Sequence, residues 1–247
     1  MNFQLNLSSE SRISVVIFGV LLFFYLYYYI AHSKFLTHLA KGKYTQKTQK
    51  SLFRFFMRKL TGFVFLGMIP GLLYVVFFDS SFGKFGFSFL LLWSNIPVIL
   101  LLAAIIVFVL FLTRKTNPQG NSLQIDATEW SWGMFVFNAL GWMIYLVAYE
   151  FLFRGILLYE CFNSFGFWPA IAVNVVVYSA IHMVNGKEQA IGALVFGTIA
   201  CYFTLTRGTL LIPVFMHITL SVFSDYFSIK FNPALRFVKI RENNPPL

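Results

Sequence analysis

Seven stretches of the chain are long and apolar enough to cross a bilayer, and this single property removes most of the folds open to it. They run Ile13–Ala31, Leu60–Phe78, Phe85–Thr113, Trp132–Leu158, Phe167–His182, Ala190–Leu205 and Leu210–Ile229. In hydrocarbon every backbone amide and carbonyl must be satisfied within the protein, so the segments are either helices or strands of a closed barrel. A barrel needs apolar and polar residues in alternation, and runs such as LLAAIIVFVLFL do not alternate. The expectation is an all-α integral membrane protein of about seven transmembrane helices. Only 11% of residues are charged while 58% are hydrophobic, too little charge to wet a soluble surface. Two cysteines, Cys161 and Cys201, are too few for a disulfide scaffold. The first apolar run is long for a secretory signal, carries Glu10 beside Arg12 ahead of it and has no small-residue cleavage site behind it, so it reads as a retained span.

Charge gives the orientation. Lys34–Lys59 holds eight basic residues and no acidic one, and placing it in the cytoplasm puts fifteen of the nineteen Lys and Arg on that side. The amino terminus is then outside and the carboxyl terminus inside, in a bacterial cytoplasmic membrane. The net charge of +10 is therefore explained without nucleic acid. Within 34–59 the basic residues alternate with Leu52, Phe53, Phe55 and Phe56, as in a helix lying on anionic lipid at the cytoplasmic surface, although an ordinary topogenic loop has the same composition. Residues 1–129 form an amino-terminal three-helix region, 130–230 a four-helix core, and 231–247 a basic cytoplasmic tail.

Spans one to three contain no ionisable residue, whereas the later spans contain Glu150, Arg154, His182, His217 and Asp225. Such groups at membrane depth are costly and mark sites or pathways. Glu150 and Arg154 are four apart, on one helix face; Tyr178 and His182 repeat that spacing, as do His217, Ser221 and Asp225. Counted from a turn near Ser164–Gly166, Glu150 and His182 lie about 21 and 24 Å deep. Counted from Gly208, Ser221 and Asp225 reach the Glu150 level and His217 stays nearer Arg154. A structural ion pair is one account of Glu150 and Arg154. A shared pocket is the other: a carboxylate that activates water, imidazoles that carry the proton and a hydroxyl that steadies an oxyanion suit hydrolysis of an amide. Glu150, His182 and His217 could equally hold a divalent metal such as zinc, although HExxH, GxSxG, P-loop and dinucleotide signatures are all missing.

YEFLFRG at 149–155, YSAIH at 178–182 and HITLS at 217–221 resemble, in order and spacing, the three motifs of the CPBP family, the CAAX-protease and bacteriocin-processing (Abi) membrane proteins. The resemblance spans about residues 130–230. It implies a helical intramembrane peptidase fold in which a glutamate and two histidines activate water and an asparagine stabilises the oxyanion, with or without a metal. Glu150, Arg154, His182 and His217 fall on the matching positions. Tyr149 stands where the first glutamate belongs, Ser221 where the asparagine belongs, and Tyr178 where a phenylalanine belongs, so Tyr149 and Tyr178 are assigned to the substrate pocket. A bacterial subgroup with an xEFxFRG first motif is closer, its further features matched by HMVNGK and Asp225. The expected activity is hydrolysis of a peptide bond in a membrane-associated substrate. A catalytically inactive relative acting in binding, immunity or assembly is the alternative, and a proton-coupled transporter a more distant one.

Overall fold

A computed structural model describes residues 8–78, 89–117 and 123–239. Helix α1 is Ser9–Ala31 and α2 is Lys34–Lys43; each opens on a serine, Ser8 and Ser33, whose hydroxyl accepts from a first-turn amide. Helix α3, Lys47–Gly62, runs through a π-helical turn at Phe63–Met68 into α4, Ile69–Phe78, as one continuous rod. After α5, Phe89–Thr116, a two-residue strand β1, Glu129–Trp130, leads to α6, Trp132–Glu150, which is capped by Ser131. A second π segment, Phe151–Leu157, joins α6 to α7, Leu158–Phe165. Helices α8, Phe167–His182, α9, Lys187–Arg207, and α10, Leu211–Phe231, complete the bundle, and β2, Arg236–Phe237, pairs in parallel with β1. Gly166, Gly186 and Gly208, all at positive φ, punctuate the last four helices.

Among the described residues six helical stretches are long and apolar enough to cross a membrane: Glu10–Lys43, Lys47–Phe78, Trp93–Thr116, Trp132–Phe165, Lys187–Arg207 and Leu211–Phe231. Phe167–His182 is apolar but shorter. The protein is thus an all-α membrane protein with the seven segments that the hydropathy pattern predicts. Two bounds move. The fourth span continues past Leu158 to Phe165, and the start expected at Phe85 lies outside the described residues.

The rod from Trp132 to Phe165 is the centre of the bundle. Every residue from 148 to 158 is buried, so this stretch is enclosed on all sides by other helices. α3 and its π turn, α8, α10 and α1 surround it, and α5 packs on the outer side of α10. Large side chains such as Phe18, Trp93 and Leu100 point outward, as they do where the solvent is lipid. Close approach to the central rod is allowed by Gly67: a Cβ there would stand 2.8 Å from the Cβ of Ala148, closer than two carbons can sit.

The basic segment 34–59 is two helices rather than one surface helix. Phe56 is exposed, but Phe55 is buried against Trp130, Met134 and Ile229, and Lys59 is buried too. The Lys47–Asp126 and Arg236–Glu129 ion pairs gather the start of α3, the segment before α6 and the tail at one end of the bundle.

Candidate active site

The end of α6 presents Glu150 to α10. His217 Nδ1 lies 2.6 Å from Glu150 Oε1, and because a carboxylate only accepts, the imidazole donates. In the neutral ring this tautomer leaves the lone pair on Nε2. His182, the last residue of α8, donates from Nδ1 to the carbonyl of Tyr178 at 2.8 Å and leaves its own Nε2 free in the same way. Glu150 and Arg154 are fully buried, and Oε2 stands 3.1 Å from Arg154 Nη1 as an ion pair. The guanidinium carbon sits 4.0 Å above the ring of Tyr178, so charge and π-face together hold it. Gly197 on α9 makes room for this stack: an added Cβ would lie 3.3 Å from Tyr178 and 3.5 Å from Arg154 Nη2.

Tyr149 is wedged between the imidazoles, edge-on to both, with ring centroids 6.2 Å from His182 and 5.9 Å from His217. Phe196 packs on His217 at 4.9 Å. Among the described residues, Tyr149 Oη, Glu150 Oε2 and all three guanidinium nitrogens of Arg154 are buried without a hydrogen bond. Two of these atoms, Glu150 Oε2 and Arg154 Nη1, meet in the ion pair, and the hydrogen-bonding capacity left unmet on the three neighbouring residues suits bound water or a polar substrate group, since unpaired polar atoms in a core are costly. His217, with about 12% of its side chain accessible, and the half-buried His182 are the parts of this cluster that reach the surface.

The π segment shapes the same site. Its wider turn carries Phe151 to Leu157, with Arg154 at the centre. The carbonyl of Phe153 accepts both from the amide of Leu158, five residues on, and from Asn174 Nδ2 on α8 at 2.6 Å. Cys201 on α9 in turn donates to Asn174 Oδ1 at 3.1 Å. Asn174 is thus the prop for the widened turn, and sequence reasoning missed it. It stands four residues before Tyr178 on the stripe that ends in His182, so continuing the spacing backward would have found it.

Two expectations need correction. Asp225 does not reach Glu150. Its Oδ2 accepts from Asn138 Nδ2 and Trp142 Nε1, both at 2.8 Å, in a separate cluster that includes Lys59, whose ammonium lies 3.0 Å from the centre of the Trp142 ring. His217, not Asp225, is level with Glu150. The depth count assumed turns at one level, yet Glu150 is sixteen residues from Gly166 and His217 only nine from Gly208. Ser221 lies between the two clusters on α10, half-buried. Nor is the ionisable chemistry confined to the second half of the chain: Lys59 on α3 joins Trp142, and Arg12 on α1 joins Glu160 on α7.

The metal hypothesis meets the same geometry. Glu150 is already engaged by His217 and Arg154, and among the described residues no group of three or more His, Cys, Asp and Glu is arranged to hold a metal ion.

Residues 127–223, about two fifths of the chain, match the family model Rce1-like, type II CAAX prenyl endopeptidase Rce1-like. No curated protein and no solved structure matches the chain. The matched segment contains Tyr149, Glu150, Arg154, Tyr178, His182, His217 and Ser221 and stops two residues short of Asp225. The part of this membrane protein that carries the candidate site is therefore similar to the type II CAAX prenyl endopeptidase family.

Proposed function

We propose that the protein is an intramembrane endopeptidase that hydrolyses a peptide bond of a membrane-associated substrate with water activated by Glu150 and its histidines. The observation that carries this is the short Glu150–His217 hydrogen bond set beside the buried Glu150–Arg154 ion pair and further buried polar atoms without a hydrogen bond. The carboxylate and the imidazole act as a unit. Glu150 Oε1 fixes the His217 tautomer, so the ring offers Nε2 as a base, and the carboxylate stabilises the imidazolium that forms when a water proton is taken. Oε2 is the further acceptor for that water. His182, with its free Nε2, carries the proton to the leaving amine. Arg154 balances the charge of Glu150 and keeps it from rotating. Tyr149 and Tyr178 form the aromatic wall against which the substrate backbone lies, and the Ser221 hydroxyl stands where it can meet the polar side of the chain. The orientation is the one given by the basic residues, with the carboxyl terminus cytoplasmic and the α2–α3 face against anionic lipid.

Purified protein in vesicles, offered a library of membrane-proximal peptides, is expected to cleave a subset. Glu150→Gln and His182→Ala are each expected to lower the rate by roughly 10²–10⁴-fold, the range for removing an acid–base group. Cleavage that survives both substitutions rules out this chemistry. Tight peptide binding without cleavage assigns the cluster to a catalytically inactive relative, the outcome that Tyr149 and Ser221 in place of the family's glutamate and asparagine would favour.

A further inference from the structure

α6 and α10 run antiparallel and meet through two polar ties. In one, Glu150 receives His217; in the other, Trp142 and Asn138 donate to Asp225. Glu150 and Trp142 are eight residues apart, and so are His217 and Asp225. Each interval is about 12 Å of helix. Asn138, Trp142 and Glu150 lie on one i, i+4 stripe of α6, and His217, Ser221 and Asp225 on one stripe of α10. The two stripes face each other in matched register. A slip of one helix past the other by a single residue would break both ties together.

We infer that Asp225 is a positioning residue: by accepting from Asn138 and Trp142 it keys α10 to α6 in the one register that brings His217 Nδ1 to Glu150 Oε1. The far tie is the better anchored of the two. Asn138 is buried, both hydrogen bonds are 2.8 Å, and their donors sit a helical turn apart, so Asp225 resists sliding in either direction. Lys59, itself buried, is packed over Trp142 and close to Tyr145 and Phe55, at 4.6 and 5.1 Å. It packs against the tryptophan ring that donates to the carboxylate, so α3 takes part in the same key. Arg114 from α5 donates to Ser224 at 2.8 Å, next to Asp225, and ties the outer side of α10 at that level. The near tie, by contrast, is partly accessible and must stay open for substrate. Dividing the work this way leaves His217 free to exchange protons while its distance from Glu150 is set 12 Å away by groups that never touch substrate.

The inference rests on the peptidase reading of Glu150 and His217, and its test is read in two independent ways. Full-length protein with ¹⁵N-labelled histidine is reconstituted in vesicles, and the His217 Nδ1–H proton, hydrogen-bonded to carboxylate, is followed by solid-state NMR. It is assigned by its loss in His217→Ala. Peptide cleavage is measured on the same samples. Asp225→Leu is expected to remove the hydrogen-bonded signal and lower kcat by roughly 10–100-fold with little change in KM, as a misplacement of about 1 Å does. Asp225→Asn, which keeps an acceptor oxygen, is expected to fall between wild type and Asp225→Leu in both readouts. Trp142→Phe keeps an aromatic ring for Lys59 while removing the N–H donor and part of the indole, and it carries the test should Asp225→Leu fail to fold. An unchanged His217 signal in both Asp225→Leu and Trp142→Phe overturns the proposal, whatever happens to the rate. Loss of the signal in a protein that never cleaves supports the register key and sinks the peptidase reading instead.

Discussion

Glu150 and Arg154 cannot be judged by activity alone, because each is also a buried charge that needs the other. Both side chains are fully enclosed, and Arg154 meets the Glu150 carboxylate and the face of Tyr178. Removing the carboxylate leaves a guanidinium in a core with nothing to neutralise it, a change that costs about 3–5 kcal/mol. Glu150→Gln is therefore expected to lower the unfolding midpoint as well as the cleavage rate. The double variant Glu150→Gln/Arg154→Met is expected to recover most of the midpoint, since an apolar side chain of similar length replaces the stranded charge, while cleavage stays lost. Detergent-phase thermal unfolding followed by tryptophan fluorescence checks the first effect, and peptide cleavage the second. Recovery of both would make the pair structural only. The spacing of residues at 150 and 154, 178 and 182, and 217 and 221 was enough to place these groups on shared faces. It was not enough to decide which member of a stripe sits at which depth. Spacing fixes the angle around a helix, and only packing fixes the sliding of one helix past another, which is why Asp225 was expected beside Glu150 and is found beside Trp142.

At the scale of elements, the spans were legible because length and hydrophobicity are properties of a single segment. The π turns were not, since no local composition marks them. FVFLGM and FLFRGIL are as apolar as their α-helical neighbours, apart from Arg154. What holds a wide turn open is a partner on another helix, and in the second segment that partner is Asn174, which donates to the Phe153 carbonyl in a fully buried position. Asn174→Leu removes the donor, buries the Cys201 thiol without its acceptor and places a larger apolar group against the turn. A loss of about 1–3 kcal/mol is expected, the cost of leaving a buried polar partner unmatched, together with displacement of Arg154 from the face of Tyr178. Chemical denaturation in mixed micelles measures the first. Equal stability in wild type and variant would show that the carbonyl is satisfied without Asn174. The two helices within 34–59 were hidden for a related reason. A basic composition says where a segment stands relative to the membrane but not that one of its lysines turns inward onto Trp142.

Across the whole molecule, the amino-terminal helix is fastened to the rod that carries the site. Arg12 on α1 forks onto Glu160 on α7, Nε to Oε2 at 2.8 Å and Nη2 to Oε1 at 2.6 Å. Arg12 Nη2 also donates to the hydroxyl of Tyr74 on α4 at 2.9 Å, and that hydroxyl in turn bonds Glu160, so three helices share one polar knot. The guanidinium lies 4.6 Å from the ring centre of Phe78 as well. Bidentate geometry and burial of the carboxylate set this pair apart from ordinary surface ion pairs, while the partial exposure of Arg12 limits what it adds. Residues 127–223 hold the family match, yet the rod they contain ends in a glutamate whose cation comes from residue 12. A chain cut down to the matched segment would lose both partners of Glu160 together with the α1, α3 and α4 helices that cover the rod, so it is expected to be less stable than the full chain and to lose cleavage with it. The knot itself is tested by a double-mutant cycle on the intact chain. Arg12→Ala and Glu160→Ala are each expected to destabilise, and the double variant by less than their sum, with a coupling of about 1–3 kcal/mol. Because Glu160 is ten residues beyond Glu150 on the same rod, loosening it should also let the π segment relax. The cycle repeated on cleavage rate is expected to show coupling of the same sign, whereas strictly additive effects in both measurements would mean that α1 merely leans against the site.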